Sequence, residues 1–342
     1  MVSPALGPPA ARERGGSVPD VSGVLVLGCC AAWALITAAG RDARPEGLLL
    51  AVLAVGAGYA GGRISGSLLP VGAPAMAALA GLSLALATPQ ALPGAAEPSG
   101  PPGRTGASAA LLVLAVGAAC CAAWATPSRG TRLALRLVAA GIAASALVTG
   151  ALAGFGAAVG VLLCSLAADR MRRRAVGLTG LALAAGAAVG LTWAVARGSV
   201  PEGLSAALEG QLTEHRVGLW QDALALAGER PLLGTGPDTF GELSQVAQQA
   251  AESDGKPHSA PLQMLAEQGV PGLALLAAAF GWLMLALWSS PRPTPVVLTA
   301  GTALTALAAL ACVGNVLSFT QVTAGAALLA GIAGARRLGS EP

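Results

Sequence analysis

The sequence predicts an all-α, multi-span transmembrane protein of about ten helices with one large extracytoplasmic helical loop. Three observations carry that expectation. Only 11% of the 342 residues are charged and 54% are hydrophobic, whereas a water-soluble domain carries about 25% charged residues. Uncharged runs such as 21–39 and 175–196 are long enough to cross, as helices, the roughly 30 Å apolar slab of a bilayer. The remaining polarity is concentrated, since thirteen of the 37 charges lie between Arg197 and Pro261.

Taken in order, residues 1–20 read as a disordered cytoplasmic tail, and 21–39 as the first span. The Val26-Leu27-Gly28-Cys29 run loosely resembles a lipoprotein cleavage box. The apolar stretch nevertheless outruns the 7 to 15 residues typical of a cleaved signal, so it is expected to stay as a span. Apolar runs at 47–60, 72–88, 108–125, 133–150, 151–168, 175–196, 269–288, 296–317 and 322–335 supply nine more. The runs 47–60 and 322–335 are short and need their flanks or a thinned bilayer to cross. The stretch 133–168 greatly exceeds one crossing and is split near Gly150, Gly154 and Gly156. The domain reading is therefore N-terminal transmembrane helices over 21–196, a loop carrying the site over 197–268, C-terminal transmembrane helices over 269–337, and a tail at 338–342.

With the N-terminus in the cytoplasm, Arg12, Arg14, Arg63, Arg129, Arg132, Arg136, Arg170, Arg172, Arg173, Arg174, Arg292, Arg336 and Arg337 are cytoplasmic. Among short connections only Arg41, Arg44 and Arg104 fall outside, which obeys the positive-inside rule. Both termini are then cytoplasmic in a multi-pass protein of the cell membrane, and the large loop faces outward. The formal charge of +3 is scattered, so no basic stripe for nucleic acid exists. The six cysteines, Cys29, Cys30, Cys120, Cys121, Cys164 and Cys312, all lie in apolar spans without a CxxC pair and read as small packing residues.

The large loop, from Arg197 to Pro261, holds nine anions against four cations and both histidines, His215 and His258. Val217, Trp220, Leu224 and Ala227 recur at helical spacing, with Asp222 and Glu229 on the wet side. Arg216 lies one turn before Trp220 on this helix. Gly234-Thr235-Gly236-Pro237 is read as a tight turn, since it lacks the Lys and Ser/Thr of a nucleotide site. Thr239 and Glu242 have the spacing of a capping box and are expected to start a helix through Ala251. Ser259 followed by Pro261 suits another helix start, with His258 just before it. On spacing alone, Arg216 equally suits an ion pair with Glu214 or Asp222, and His258 a solvated loop position. Glu267 is placed to orient His258 or to cap the following span.

The ordered pair of segments HRVGLWQDALALAGERPLLGTGPDTF (215–240) and HSAPLQMLAEQGVPGLALL (258–276) resembles the signature region of the O-antigen ligase and polymerase superfamily. That family carries an Arg about four residues before a Trp, a Pro-x-x-Gly-x-Gly turn, and a His opening a helix through Leu-Gln-x-Leu-Ala-Glu-x-Gly. The resemblance implies a metal-independent, cofactor-free C-type glycosyltransferase of the cell envelope. Its donor would be an undecaprenyl-diphosphate-linked glycan and its acceptor another glycan or a cell-envelope molecule. It implies that Arg216 grips the diphosphate, that His258 activates the acceptor hydroxyl, and that Trp220 lines the substrate site beside Arg216. A guanidinium can bind a departing phosphate through two parallel hydrogen bonds, and histidine is the side chain suited to act as a base near neutral pH. Members of the family usually have a further Ser-Arg pair upstream. The corresponding stretch, Leu147 to Gly154, has no Arg, so Arg197 or Arg230 is expected to supply the second cation. The other readings are a multi-span transporter, disfavoured because the span interiors lack ionisable residues, and a non-catalytic partner in surface polysaccharide export.

Overall fold

The computed structural model describes residues 17–87, 104–148, 150–171, 173–199, 213–249 and 254–336. The expectations placed on Arg12, Arg14, Arg172, Arg337, the tail residues 1–16 and 338–342, and the loop residues 201–212 lie outside them. The described residues form thirteen α-helices and two 3₁₀ turns. Eight of the helices are long and apolar enough to cross a membrane, and Gly72–Leu86 and Thr320–Gly334 are shorter apolar helices. In chain order the helices are α1 (Ser17–Ala38), α2 (Glu46–Leu68), α3 (Gly72–Leu86), α4 (Arg104–Ala125), α5 (Arg129–Val148), α6 (Leu152–Ala167) and α7 (Arg174–Ala196). There follow α8 (Glu214–Glu229), α9 (Phe240–Leu243), α10 (Gln245–Gln249), α11 (Ala260–Trp288), α12 (Thr294–Val313) and α13 (Thr320–Gly334).

The core centres on α4, which is buried almost throughout and packs against α3, α5, α6, α12 and α13. Its Ala-rich sequence lets five neighbours approach one helix, as small residues do where no hydrophobic force separates protein from lipid. The same device joins α2 to α13. A Cβ on Gly62 would lie 2.2 Å from the Leu328 carbonyl, and one on Gly331 would lie 2.3 Å from the Tyr59 carbonyl. Only glycine at both positions permits that contact.

Several span boundaries differ from the sequence expectation. The second span, expected to be short over 47–60, runs to Leu68 through Arg63. It continues because the Arg63 charge is met by Asp20 at 3.5 Å and by the Tyr59 hydroxyl at 3.5 Å. The ninth, expected to reach 317, ends at Val313, and a 3₁₀ turn, Val316–Ser318, follows. The long 133–168 run does divide as expected. α5 ends at Val148, α6 starts at Leu152, and Gly150 between them takes φ 70°.

The helix connections sort into two opposite faces. On one face the Arg44 N–H donates to the Pro237 carbonyl at 3.0 Å, the Arg41 guanidinium donates to the Gly234 carbonyl at 2.9 Å, and Lys256 Nζ donates to Ser318 Oγ at 3.4 Å. The large loop, the α1–α2 connection and the α12–α13 connection therefore share this face. On the other face buried Arg292 donates to the carbonyls of Gly66 at 2.6 Å and Ala335 at 2.9 Å. Arg174 reaches the Ser290 carbonyl there at 2.6 Å.

Candidate functional site

The Thr213 hydroxyl starts α8 by accepting the Arg216 N–H at 3.4 Å, which satisfies one of the helix's unpaired first-turn donors. Leu219, Trp220, Ala223 and Ala227 form its buried stripe. Leu219, Trp220 and Ala223 pack with Ala196, Phe240, Ala247, Leu262 and Ala266 in a cluster separate from the main core. Val217 and Leu224, expected in that stripe, are half-buried beside it. Asp222, expected on the wet side, is also half-buried. Its Oδ2 accepts the Ser244 hydroxyl at 2.6 Å and the Val246 N–H at 3.1 Å, so it fixes the start of α10. The expected Thr239–Glu242 capping box does not form. The Thr239 hydroxyl donates instead to Gly236 at 2.8 Å, and α9 stops at Leu243.

Trp220 is 1% exposed and its indole N–H donates to the Pro257 carbonyl at 2.8 Å. This places Trp220 inside the domain, where it supports the residue before His258 and presents no surface to a substrate. Arg216 is half-buried one turn earlier on α8, so the two signature stretches meet through this indole. Burial pulls the Arg216 guanidinium below its ordinary pKa. An arginine in a protein nevertheless stays charged.

His258 takes φ 51°, in the left-handed region. Such a backbone costs about 1–3 kcal/mol for a residue other than glycine and persists where its surroundings over-determine it. Those surroundings are visible. His258 Nε2 lies 3.2 Å from Asp254 Oδ1, and both side chains are 17% exposed. The Lys256 N–H donates to the same carboxylate oxygen at 3.2 Å, and Gly255 packs backbone to backbone on Gly241. Burial works to raise the Asp254 pKa, but the bond and charge of His258, the Lys256 N–H and Asn315 together hold it below its ordinary value. Nε2 is thus the ring nitrogen turned to Asp254, and Nδ1 is the other. Ser259 stands at the N-cap position of α11 with Pro261 in its first turn, where the sequence places the helix start, but its hydroxyl makes no capping bond.

The sequence reading did not single out Asp254, and it offered Glu267 either to orient His258 or to cap the following span. Glu267 is buried and bonded instead to the Gln263 amide at 3.3 Å. The signal for Asp254 was its position four residues before His258, which carries weight only once the intervening chain turns back.

α11 is broken at Gly269, whose φ of 68° and ψ of −169° are not helical. Residues 260–268 thus form a separate half-helix in the loop, and its last carbonyls are satisfied by distant groups. The Thr235 N–H donates to Ala266 at 3.0 Å, the Gly236 N–H to Glu267 at 2.8 Å, and the Trp33 indole to Gln268 at 3.1 Å. The Val270 N–H returns to Pro231 at 2.8 Å. The Gly234-Thr235-Gly236 turn is therefore a helix cap, and its N–H groups are not turned to a phosphate. Next to the break, an apolar groove of about 550 Å³ lies between α1 and α11, lined by Cys29, Trp33, Ile36, Pro271 and Leu275 among others.

The two candidate second cations sit differently. Arg197 follows Ala196, which packs in the same cluster as Leu219 and Trp220, and its guanidinium lies 5.0 Å from the centre of the Trp193 ring. Arg230 is exposed at the far end of α8. It is fourteen residues from Arg216, or about 21 Å along the axis at 1.5 Å per residue. Among the described residues no three His, Cys, Asp or Glu side chains form a metal-ligand set.

Residues 147–277 match the family model described as O-antigen ligase. No curated protein matches the chain. The matched segment begins at the α5–α6 turn and ends in α11, so it contains Arg216, Trp220, the 231–237 turn, Asp254 and His258. Over residues 147–277 the chain is thus similar to the O-antigen ligase family, within a multi-span helical membrane protein.

Proposed function

We propose that the protein is a C-type membrane glycosyltransferase that moves an undecaprenyl-diphosphate-linked glycan onto an acceptor hydroxyl, without a metal, on the outer face of the cytoplasmic membrane. The observation that carries this reading is the hydrogen bond from Trp220 to Pro257, which joins the Arg216 helix to the His258 turn. The distribution of arginines supports cytoplasmic termini and an outward loop.

In the reaction His258 Nδ1 takes the proton of the acceptor hydroxyl, and the oxygen attacks the anomeric carbon. The bond from that carbon to the diphosphate breaks with inversion, and the electron pair leaves on the phosphate oxygen. Asp254 stabilises the imidazolium that forms, and Arg216 holds the departing diphosphate through charge-assisted hydrogen bonds. Arg197 is the better-placed second cation, because Arg230 lies too far along α8 to share one diphosphate with Arg216. The apolar groove between α1 and α11 suits the isoprenoid chain of the donor.

A non-catalytic role in polysaccharide export is the second reading, favoured by the absence of Arg from Leu147 to Gly154. One experiment separates the two. In a strain carrying the protein with Arg216→Ala or His258→Ala, surface glycan should disappear while the protein remains in the membrane. Normal glycan in both strains would refute a catalytic role. In a deletion strain, long lipid-linked polymer piling up identifies a ligase, and single repeat units piling up identify a polymerase.

A further inference from the structure

We propose that the corner where α4 meets α5, on the face opposite the candidate site, binds the phosphate headgroup of an anionic phospholipid. Trp124 lies near the end of α4, and its indole N–H donates to Ser165 Oγ of α6 at 3.0 Å. Ser165 Oγ in turn accepts the Thr299 hydroxyl of α12 at 2.9 Å. Three helices therefore hold this half-buried ring in place.

Two arginines of α5 converge on it. The guanidinium carbons of Arg132 and Arg136 lie 5.8 Å and 4.9 Å from the ring centre. They are four residues apart on one helix, where like charges repel. Among the described residues the ion pairs are Arg63–Asp20 and His258–Asp254, so neither guanidinium has a carboxylate partner. Arg132 donates Nη2 to the Thr126 carbonyl at 3.1 Å, but its Nε is buried with no acceptor. Arg136 makes no hydrogen bond among the described residues. Two cations stacked on one indole with unused donors are completed by an anion between them, and a phosphodiester accepts from both.

The surroundings favour a lipid over a free phosphate. Leu133, Leu137 and Val138 are 60%, 64% and 41% exposed on the same stretch of α5, which offers acyl chains an apolar bed beside the charges. Tryptophan and arginine at a span end are the side chains that meet headgroups, the arginine stem lying along apolar surface. Basic pockets between helices at that depth recognise anionic headgroups. This site is independent of the proposed glycan transfer.

The test uses the full-length protein in neutral detergent. Native mass spectrometry would count bound dioleoylphosphatidylglycerol and dioleoylphosphatidylcholine at equal concentrations. The wild type should retain one phosphatidylglycerol in preference, by about fivefold for each engaged arginine. Arg136→Gln, which loses no hydrogen bond within the protein, should remove most of that preference, and the Arg132→Gln/Arg136→Gln pair the rest. Arg129→Gln and Arg173→Gln should keep it, because those exposed cations lie off the indole. Equal retention of the two lipids by the wild type overturns the proposal without any variant. So does an unchanged preference in Arg136→Gln, or an equal loss in Arg129→Gln, which would mean diffuse charge only. Displacement of the lipid by millimolar inorganic phosphate would make the ligand a soluble anion and overturn the lipid assignment.

Discussion

The indole N–H of Trp220 and the carbonyl of Pro257 form a 2.8 Å hydrogen bond inside the large loop, 37 residues apart in the chain. It is buried, so neither partner has water as a substitute. Through it the helix bearing Arg216 fixes the turn bearing His258.

Trp220→Phe keeps an aromatic ring in the pocket and strands the Pro257 carbonyl. Leaving a buried acceptor unpaired costs about 1–3 kcal/mol. The melting temperature in detergent should fall accordingly. Glycan transfer should fall further than folding does, because the His258 turn loosens first; transfer at wild-type rate in a folded Trp220→Phe protein would contradict the coupling.

Asp254 sets a pH dependence whose sign is determined. Its pKa is lower in the folded protein than its ordinary value. Its contribution to stability is therefore present above the ordinary carboxylate pKa of about 4 and is lost as pH falls through the lower folded value. Thermal melts of the wild type should show this acid loss, and Asp254→Asn should lack that component. Asp254→Asn should also lower transfer roughly 10²- to 10⁴-fold, the range for impaired base catalysis, with little change in KM.

Gly269 supplies the break in α11 and tolerates no side chain. A Cβ there would lie 2.4 Å from the Leu232 carbonyl at φ 68°. Gly269→Ala should cost at least the roughly 1–3 kcal/mol of such backbone strain and greatly reduce the yield of folded protein. Gly28→Ala, where no atom lies within 4 Å of the added carbon, should be neutral or stabilise α1 by about 0.5–1 kcal/mol. Equal yields of the two variants would show that the break is dispensable.

The cations should rank by position. Arg216→Lys should lose more than about tenfold in kcat/KM, because a point charge does not replace a bidentate fork. Arg197→Gln should lose a smaller factor, and Arg230→Gln should stay close to wild type. Kinetics on purified lipid-linked donor would check the order, and an Arg230 effect equal to that of Arg216 would reverse it.

Spans and their approximate ends were legible because crossing a bilayer depends on local composition: α5 and α6 separate at Gly150, where the glycines lie. Arg216 and His258 stand out in the sequence through their place in an ordered motif, inside the segment that matches the family model, and their roles are proposals. What only the tertiary structure decided are pairings between distant stretches. The second span continues past Arg63 because Asp20, on another helix, meets its charge. Asp254, not Glu267, faces His258 because the chain turns back at Gly255. Helix α11 stops and restarts at Gly269 because Thr235, Gly236 and Trp33 donate to the carbonyls that the break exposes, and the Pro231 carbonyl accepts the Val270 N–H. Hydrophobic length is a sum over neighbours in the chain, whereas a buried donor or acceptor is satisfied by whichever group folding brings within reach, and no reading of neighbours alone contains that information.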